Sequence, residues 1–356
     1  MNLKIKDHFN VEFFNKFRIT LRYDAVASTF SFEHYFDPKN KEHRILWQPG
    51  HFHIVKLEHK GELLLTGYIL SQTFAKSKIK KLSSISGYSL PGVLEDCQIP
   101  TSLYPLQSDG LTLGQITSKL LAHFSTSRNP IKLEVDPSVS GKVNSVFDKT
   151  TASETDTIKS YLTKMAAQKD IVLSHTPEGN LLYTKAKADI APIFHFTPGQ
   201  IGVTDMSLTF DGQAMHSSIT LLKQASTEGG NAGQSFVSNP YVPFVRRPAV
   251  KKQSSGGDND TGDAASNALS AELKGIVLTI ELNDWFLDGK IVKPNNTILV
   301  TDPELYIFEP TLFFIESVDL VGDEKENTAS LKCVLPEVYT ENRPKNIFEV
   351  KGADTK

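Results

Sequence analysis

Residues 11 to 36, VEFFNKFRITLRYDAVASTFSFEHYF, alternate apolar and polar side chains with a period of two. Phe17, Ile19 and Leu21 interleave with Arg18, Thr20 and Arg22, and Phe30 and Phe32 flank Ser31 beside Glu33. A helix would scatter these apolar groups around its axis. A strand puts them on one face, so the segment predicts half-buried strands. The pattern continues through WQPGHFHIVKLEHKGELLLTGYILSQTF, with turns at Pro49-Gly50 and Lys60-Gly61, and into KIKKLSSISG. The first stretch, to about residue 87, therefore predicts antiparallel β structure, a small barrel or sandwich.

The period changes after GYSLPGVLEDCQIP, residues 87 to 100, whose two glycines and two prolines interrupt a strand ladder. In GLTLGQITSKLLAHF, Leu113, Ile116, Leu120, Leu121 and Phe124 fall on one helical face, with Thr112 as its cap. SETDTIKSYLTKMAAQKD predicts a second helix from Ser153, capped by Ser153 and Asp156, burying Ile158, Leu162 and Met165. IVLSHTPEGNLLYTKA predicts a hairpin turning at Glu178-Gly179-Asn180. Residues 101 to 187 thus read as an α+β unit.

Strand patterning returns over 192 to 224. The following segment, 225 to 263, holds STEGGNAGQS and KKQSSGGDNDTG, too polar and glycine-rich to bury itself, and is expected to be flexible. A short helix, AASNALSAELKG, precedes four strands: IVLTIELNDWF, TILVTDPELYIF, TLFFIESVDLV and ASLKCVLPEVY. Two stretches share a pattern: QPGHFHIVKL, LLLTGYILSQTF and KIKKLSSISG against KPNNTILVTD, TLFFIESVDLV and TASLKCVLPE. Either the β module is duplicated around the α+β unit, or two unrelated meanders look alike at this level.

A chain of 356 residues suggests two or three domains at roughly 150 residues each. With 39% apolar and 22% charged residues it can bury a core, and a net charge of -3 argues against whole-protein attraction to nucleic acid. Two cysteines make neither a disulfide framework nor a zinc site. No apolar run at the N-terminus has signal-peptide length, and none approaches the ~20 residues of a membrane span. Synthesis in a cytoplasm, with no membrane association, is the expectation.

Little in the chain points to chemistry. Glu95 and Asp96 beside Cys97 would raise a thiol's pKa rather than activate it, so Cys97 reads as a packing residue. His51 and His53 have a spacing that metals use, with His59 or His43 as a third ligand, but no cysteine or acidic cluster supports the site. GGNAGQS, residues 229 to 235, lacks the Gly-Lys-Ser/Thr ending of a phosphate loop. Arg246-Arg247 with Lys251-Lys252 reads as a solvated linker or a contact. No GxSxG, HExxH, Walker or paired-carboxylate pattern occurs. The expectation is no catalytic residue, no cofactor and no metal.

The order of the segments resembles a family: the baseplate hub proteins of Mu-like contractile phage tails, related in fold to the N-terminal part of the type VI spike protein VgrG. VASTFSFEHYF, QPGHFHIV, LLLTGYILSQ, SISGYSLPGVLEDCQIP, GLTLGQITSKLLAHF, WFLDGKIVKPNNTILVTDPEL and LKCVLPEVY fit its segments in sequence, over roughly residues 10 to 340. Tyr88 stands where the family usually has arginine, and WFLDGKIVKPN lacks a second tryptophan. The resemblance implies a mainly β fold with an inserted α+β domain and two tail-tube-like β-barrels. The domains would be 1–90, first barrel; 91–188, insertion; 189–340, second barrel with the flexible 225–263; and 341–356, a tail. In that reading GYSLPGVLEDC leads out of the first barrel into the insertion.

The resemblance further implies a non-enzymatic homotrimer joining the hexameric tail tube to the trimeric central spike. It would sit in the virion baseplate, contact other baseplate or tape-measure components, and meet nucleic acid only by its passage through a channel. Trp285, Phe286, Arg246 and Arg247 are the expected interface residues. The alternatives are a tail-associated cell-wall hydrolase or glycan-binding protein working through residues 101 to 187, and a receptor-binding tail-tip protein.

Overall fold

The computed structural model describes every residue except 6–8, 13, 77–81, 105, 108, 126–130, 148–151, 154, 223–233, 253–260, 324–325, 341–342 and 350–356. The chain forms two compact units. One is Met1–Lys185 with Asp319–Ala329, and the other is Ala186–Val318 with Ser330–Lys356.

In the first unit the strands Lys16–Arg22, Thr29–Tyr35, Leu82–Ser89, Glu62–Phe74 and Ile54–His59 lie side by side in that order, every pair antiparallel. Asn2–Ile5 and then Phe9–Val11 extend the sheet beyond Ile54–His59. The opening alternation is realised as expected. Phe17, Ile19, Leu21, Phe30 and Phe32 are all buried, with Phe17 opposite Phe32 and Ile19 opposite Phe30. Each such side chain contributes roughly 1.5–3 kcal/mol by leaving water. At the tight hairpin both Lys60 and Gly61 take positive φ, 49° and 85°, the backbone twist that suits two antiparallel strands.

The junction differs in detail from the reading of its glycines. Gly87 is still within the strand Leu82–Ser89, and the chain leaves the sheet through a 3-10 turn, Leu90–Gly92, and a short helix, Val93–Asp96. Tyr88, the departure from the family pattern, donates its hydroxyl to Asp96 Oδ2 at 2.5 Å. Gly92 makes room for that ring, since a Cβ there would lie 2.3 Å from Tyr88 Cδ2. Cys97 is half-buried, and burial and then Asp96 push its thiol pKa up, so it packs rather than reacts.

The helix Leu113–Leu121 starts at Thr112, which accepts from Gln115 N while Gln115 closes a capping box. The second helix, Ile158–Ala167, starts later than expected. Its cap is Thr157, and Ser153 with Asp156 forms only a turn ahead of it. Ile158, Leu162 and Met165 are buried as expected, with Tyr161 and Ala166 beside them. The expected hairpin, Val172–His175 with Leu181–Thr184, gains a parallel third strand, Leu133–Val135, that the sequence reading missed.

His175 ties this hairpin to the loop after Lys16–Arg22. Its Nδ1 lies 2.8 Å from Ala25 O, which can only accept, so Nδ1 carries the proton and Nε2 accepts from Ser28 Oγ at 2.8 Å. Burial lowers the His175 pKa from 6.5 to about 4. The unfolded chain takes up a proton near pH 6.5 that the native protein refuses until about pH 4. Stability is therefore full above pH 6.5 and falls by about 3 kcal/mol as the pH drops to 4. His175→Gln is expected to weaken the fold at pH 7 by about 1–2 kcal/mol. It should also flatten the slope of the urea midpoint between pH 6.5 and 4, leaving the parts due to His34, which burial also lowers to about 4, and to Asp156, Glu272 and Glu316, whose carboxyls are held below their usual range. Equal slopes in the two proteins would contradict this assignment.

The second unit repeats the strand order of the first. Val203–Phe210, Ile276–Leu282, Asn327–Val334, Ile307–Asp323 and Thr297–Asp302 lie in that sequence, so in both units the order is first, second, fifth, fourth, third. The tip of the Ile307–Asp323 and Asn327–Val334 hairpin belongs to the first unit. The two similar stretches of sequence therefore occupy equivalent positions in the two strand orders. Among the described residues no pairing closes either strand order into a barrel.

The segment expected to be flexible carries strands. Residues 223–233 and 253–260 lie outside the described ones, but between them Gln234–Ser238 pairs antiparallel, and Pro248–Lys252 parallel, with Ser218–Leu222. The helix Thr261–Glu272 follows, burying Ala265 and Leu269. This small layer is inserted between Val203–Phe210 and Ile276–Leu282, where the first unit has only the short loop 23–28. Glu272 fastens it, accepting from His216 N and Nδ1 and from Lys251 Nζ at 2.8–2.9 Å. Burial pushes the Glu272 pKa up, but those bonds outweigh it and hold the carboxyl below its usual range.

Nor is the C-terminal stretch wholly a free tail. Lys345 O accepts from the Tyr241 hydroxyl at 2.6 Å, and Phe348 meets the rings of Phe210, Tyr241 and Tyr306 at centroid distances of 5.7, 6.0 and 6.3 Å. Nearby in the chain, the buried Glu316 accepts from Lys332 and Tyr339 at 2.7 Å and pairs with Lys274 at 3.1 Å. Burial opposes its ionisation, but these partners bring its pKa down to about 2.

Candidate interaction surface

Among the described residues no group of three or more His, Cys, Asp or Glu could hold a metal ion. His51 and His53 precede the strand Ile54–His59 rather than lying in it, and His51 is exposed whereas His53 is buried. The expected phosphate-loop look-alike falls mostly within 223–233, outside the described residues.

The four expected interface residues separate in the structure. Trp285 is 1% exposed, one of the largest fully buried side chains, and so belongs to the protein's own core. Phe286 is half-buried in a hairpin with Lys290–Ile291, turned by Asp288 and Gly289 at positive φ. Arg247 is half-buried and donates to Gly212 O at 2.6 Å and Gln213 O at 2.9 Å, a structural clamp. Arg246 is exposed.

Arg246 lies at the tip of a loop, residues 239–247, held at both ends. At one end Asn239 Nδ2 donates to His216 O at 2.9 Å, Asn239 Oδ1 accepts from Tyr241 N at 2.9 Å, and Tyr241 is buried. At the other, Arg247 N donates to Ser217 Oγ at 2.8 Å, and Ser217 N returns a bond to Arg247 O at 3.0 Å. Between these anchors Phe244 is 83% exposed and Val245 56%. Clamped backbone with an exposed aromatic tip is how a preorganised contact is built, because little ordering entropy is left to lose on binding. Sequence reading named the arginines and missed Phe244. The signal was there, an apolar YVPFV run amid a polar stretch.

A second surface lies in the first unit. Phe36, Pro38, Phe74, Ala75, Lys76 and Ser83 line an open groove of about 350 Å³. Phe36 and Phe74 meet edge to face at 4.9 Å, and Phe74 remains 43% exposed. Asp37, between two lining residues in sequence, orders this stretch. Its N–H donates to His43 Nδ1 at 3.1 Å, and its Oδ1 accepts from Lys39 N at 2.9 Å.

No family model matches the chain, and no curated protein matches it. Solved structures do. The 43 kDa tail protein of prophage MuSo2 from Shewanella oneidensis aligns with a TM-score of 0.75 at 19% identity, covering 95% of this chain and 99% of its own. A tail protein of Neisseria meningitidis gives 0.74 at 18% identity, covering 96% and 98%. A type VI secretion component of Escherichia coli, itself described as similar to phage T4 tail proteins, gives 0.57 at 10% identity, covering 97% and 80%. End to end, the fold is that of these two tail proteins.

Proposed function

We propose that this chain is a structural baseplate hub of a phage tail or a related contractile injection machine, a non-enzymatic homotrimer that joins the hexameric tail tube to the trimeric central spike. The observation that carries this reading is the full-length match to two tail proteins, one of them from a prophage. The repeated strand order supports the trimer. Three chains with two equivalent sheet modules each offer six modules to a six-fold tube, while the three-fold axis remains for the spike. The work done is mechanical: the hub holds tube and spike together until the tail fires. It is made in the host cytoplasm and resides in the baseplate of the virion. Its contacts with other baseplate or tape-measure components, and with nucleic acid in transit through a channel, belong to the same reading.

The test is assembly. The purified chain should be a trimer, and co-expression with the tube and spike proteins of the same tail should yield a complex that survives size exclusion. A chain that lyses cell walls or adsorbs to cells by itself would overturn the proposal.

A further inference from the structure

We propose that copies of this chain join head to tail, with Phe244 of one copy seated in the Phe36–Phe74 groove of the next. This deepens the trimer reading and rests on it. Phe244 is the most exposed aromatic side chain among the described residues, and the anchors at Asn239, Tyr241 and Arg247 fix its loop. An exposed ring on a fixed loop needs an apolar receptor. Residues 223–233 and 253–260, KQASTEGGNAG and QSSGGDND, contain no aliphatic residue larger than alanine and no aromatic, so their composition supplies none.

The groove has the complementary chemistry. Its volume of about 350 Å³ exceeds the roughly 150 Å³ in which an apolar protein cavity binds benzene, and two of its lining residues are phenylalanines. Phe36 and Phe74 already meet edge to face, the arrangement a third ring can extend. Asp37 beside the groove offers a carboxylate to Arg246, two residues from Phe244. Lys76, also lining the groove, offers its ammonium to the carbonyls of a loop tip, Pro243 to Arg246, that carries no acidic side chain. The key and the receptor lie in different compact units of the chain. A contact between unlike surfaces repeats from copy to copy and closes into a ring when the rotation permits, as three-fold symmetry would require.

Two variants test the docking, Phe244→Asp on the loop and Phe74→Asp in the groove. Phe244 is 83% exposed, so its variant should match the parent in circular dichroism and urea midpoint; Phe74 is 43% exposed against Phe36, so its variant should keep the circular dichroism and lose only a little of the midpoint. Each variant alone should lose the trimer, a threefold fall in solution mass. Mixed together, they retain one loop and one groove that fit, and should form a two-copy particle and nothing larger. In a Cys97→Ser background, a mixture of Val245→Cys and Ala75→Cys copies, both keeping Phe244, should cross-link between chains on mild oxidation. A parent trimer that survives both aspartates, with no cross-link in the mixture, overturns the docking and leaves the hub reading standing. A parent that is monomeric at every concentration removes the trimer and the docking together.

Discussion

Gly87→Ala should destabilise the first unit by about 4 kcal/mol or more, the class of effect reserved for core overpacking that backbone must absorb. A Cβ on Gly87 would lie 1.7 Å from the carbonyl oxygen of Tyr68, 2.8 Å from its carbonyl carbon and 2.9 Å from Phe30 Cζ. Two of those three atoms are backbone in a neighbouring strand and have no rotamer to adopt. The site is paired on both sides, with Phe30 in one neighbour and Ile69 in the other. Gly67 mirrors it, since a Cβ there would meet Tyr88 O at 2.2 Å, so the Tyr68–Tyr88 pair sits between two glycines that let the strands approach. Relief would require opening the ladder. Gly141→Ala is the control: nothing lies within 4 Å of its Cβ position, it sits in the short helix Ser140–Val143, and it should be neutral or stabilising by up to about 1 kcal/mol. Urea unfolding of the two proteins separates them, and equal midpoints would contradict the close-approach account.

Trp285→Ala should cost about 3–5 kcal/mol of folding stability, because the whole indole is withdrawn from a packed interior. The substitution distinguishes a core residue from the partner anchor that the sequence suggested. An anchor would leave the midpoint of the isolated chain in place and weaken only assembly. Trp285 O also accepts from Val292 N at 2.9 Å, so loosening at this position reaches the hairpin that carries Phe286. A lowered midpoint with the denaturant slope unchanged is the expected result.

Much of the fold was legible because its signals are local. Period-two alternation found the strands around Phe17, Ile19 and Phe30, and helical spacing found Leu113, Ile116 and Leu120 with Thr112 ahead of them. The repeated strand order was visible as two similar stretches, although pattern alone left it open. The second helix cap falls at Thr157 rather than Ser153 although serine is the better N-cap residue in isolation, because burying Ile158 and Leu162 fixes where the helix starts.

The inserted layer of the second unit was missed for a different reason. Gln234–Ser238 and Pro248–Lys252 are five residues each, set between polar tracts, and their order depends on a sheet neighbour and a helix remote in sequence. Burial decided the candidate surface as well. Trp285 and Arg247, expected from sequence at an interface, are spent on the protein's own structure, whereas Phe244, which that reading passed over, is exposed. The apolar YVPFV run is visible in the sequence, but which of its side chains face water depends on the folded loop.

The most direct test of the hub account is the solution mass of the purified chain, measured by light scattering after size exclusion across a range of concentrations. The account predicts a particle of about 118 kDa, three copies of a 39.4 kDa chain. A mass of 39.4 kDa at every concentration, unchanged by co-expression with the spike, would contradict it.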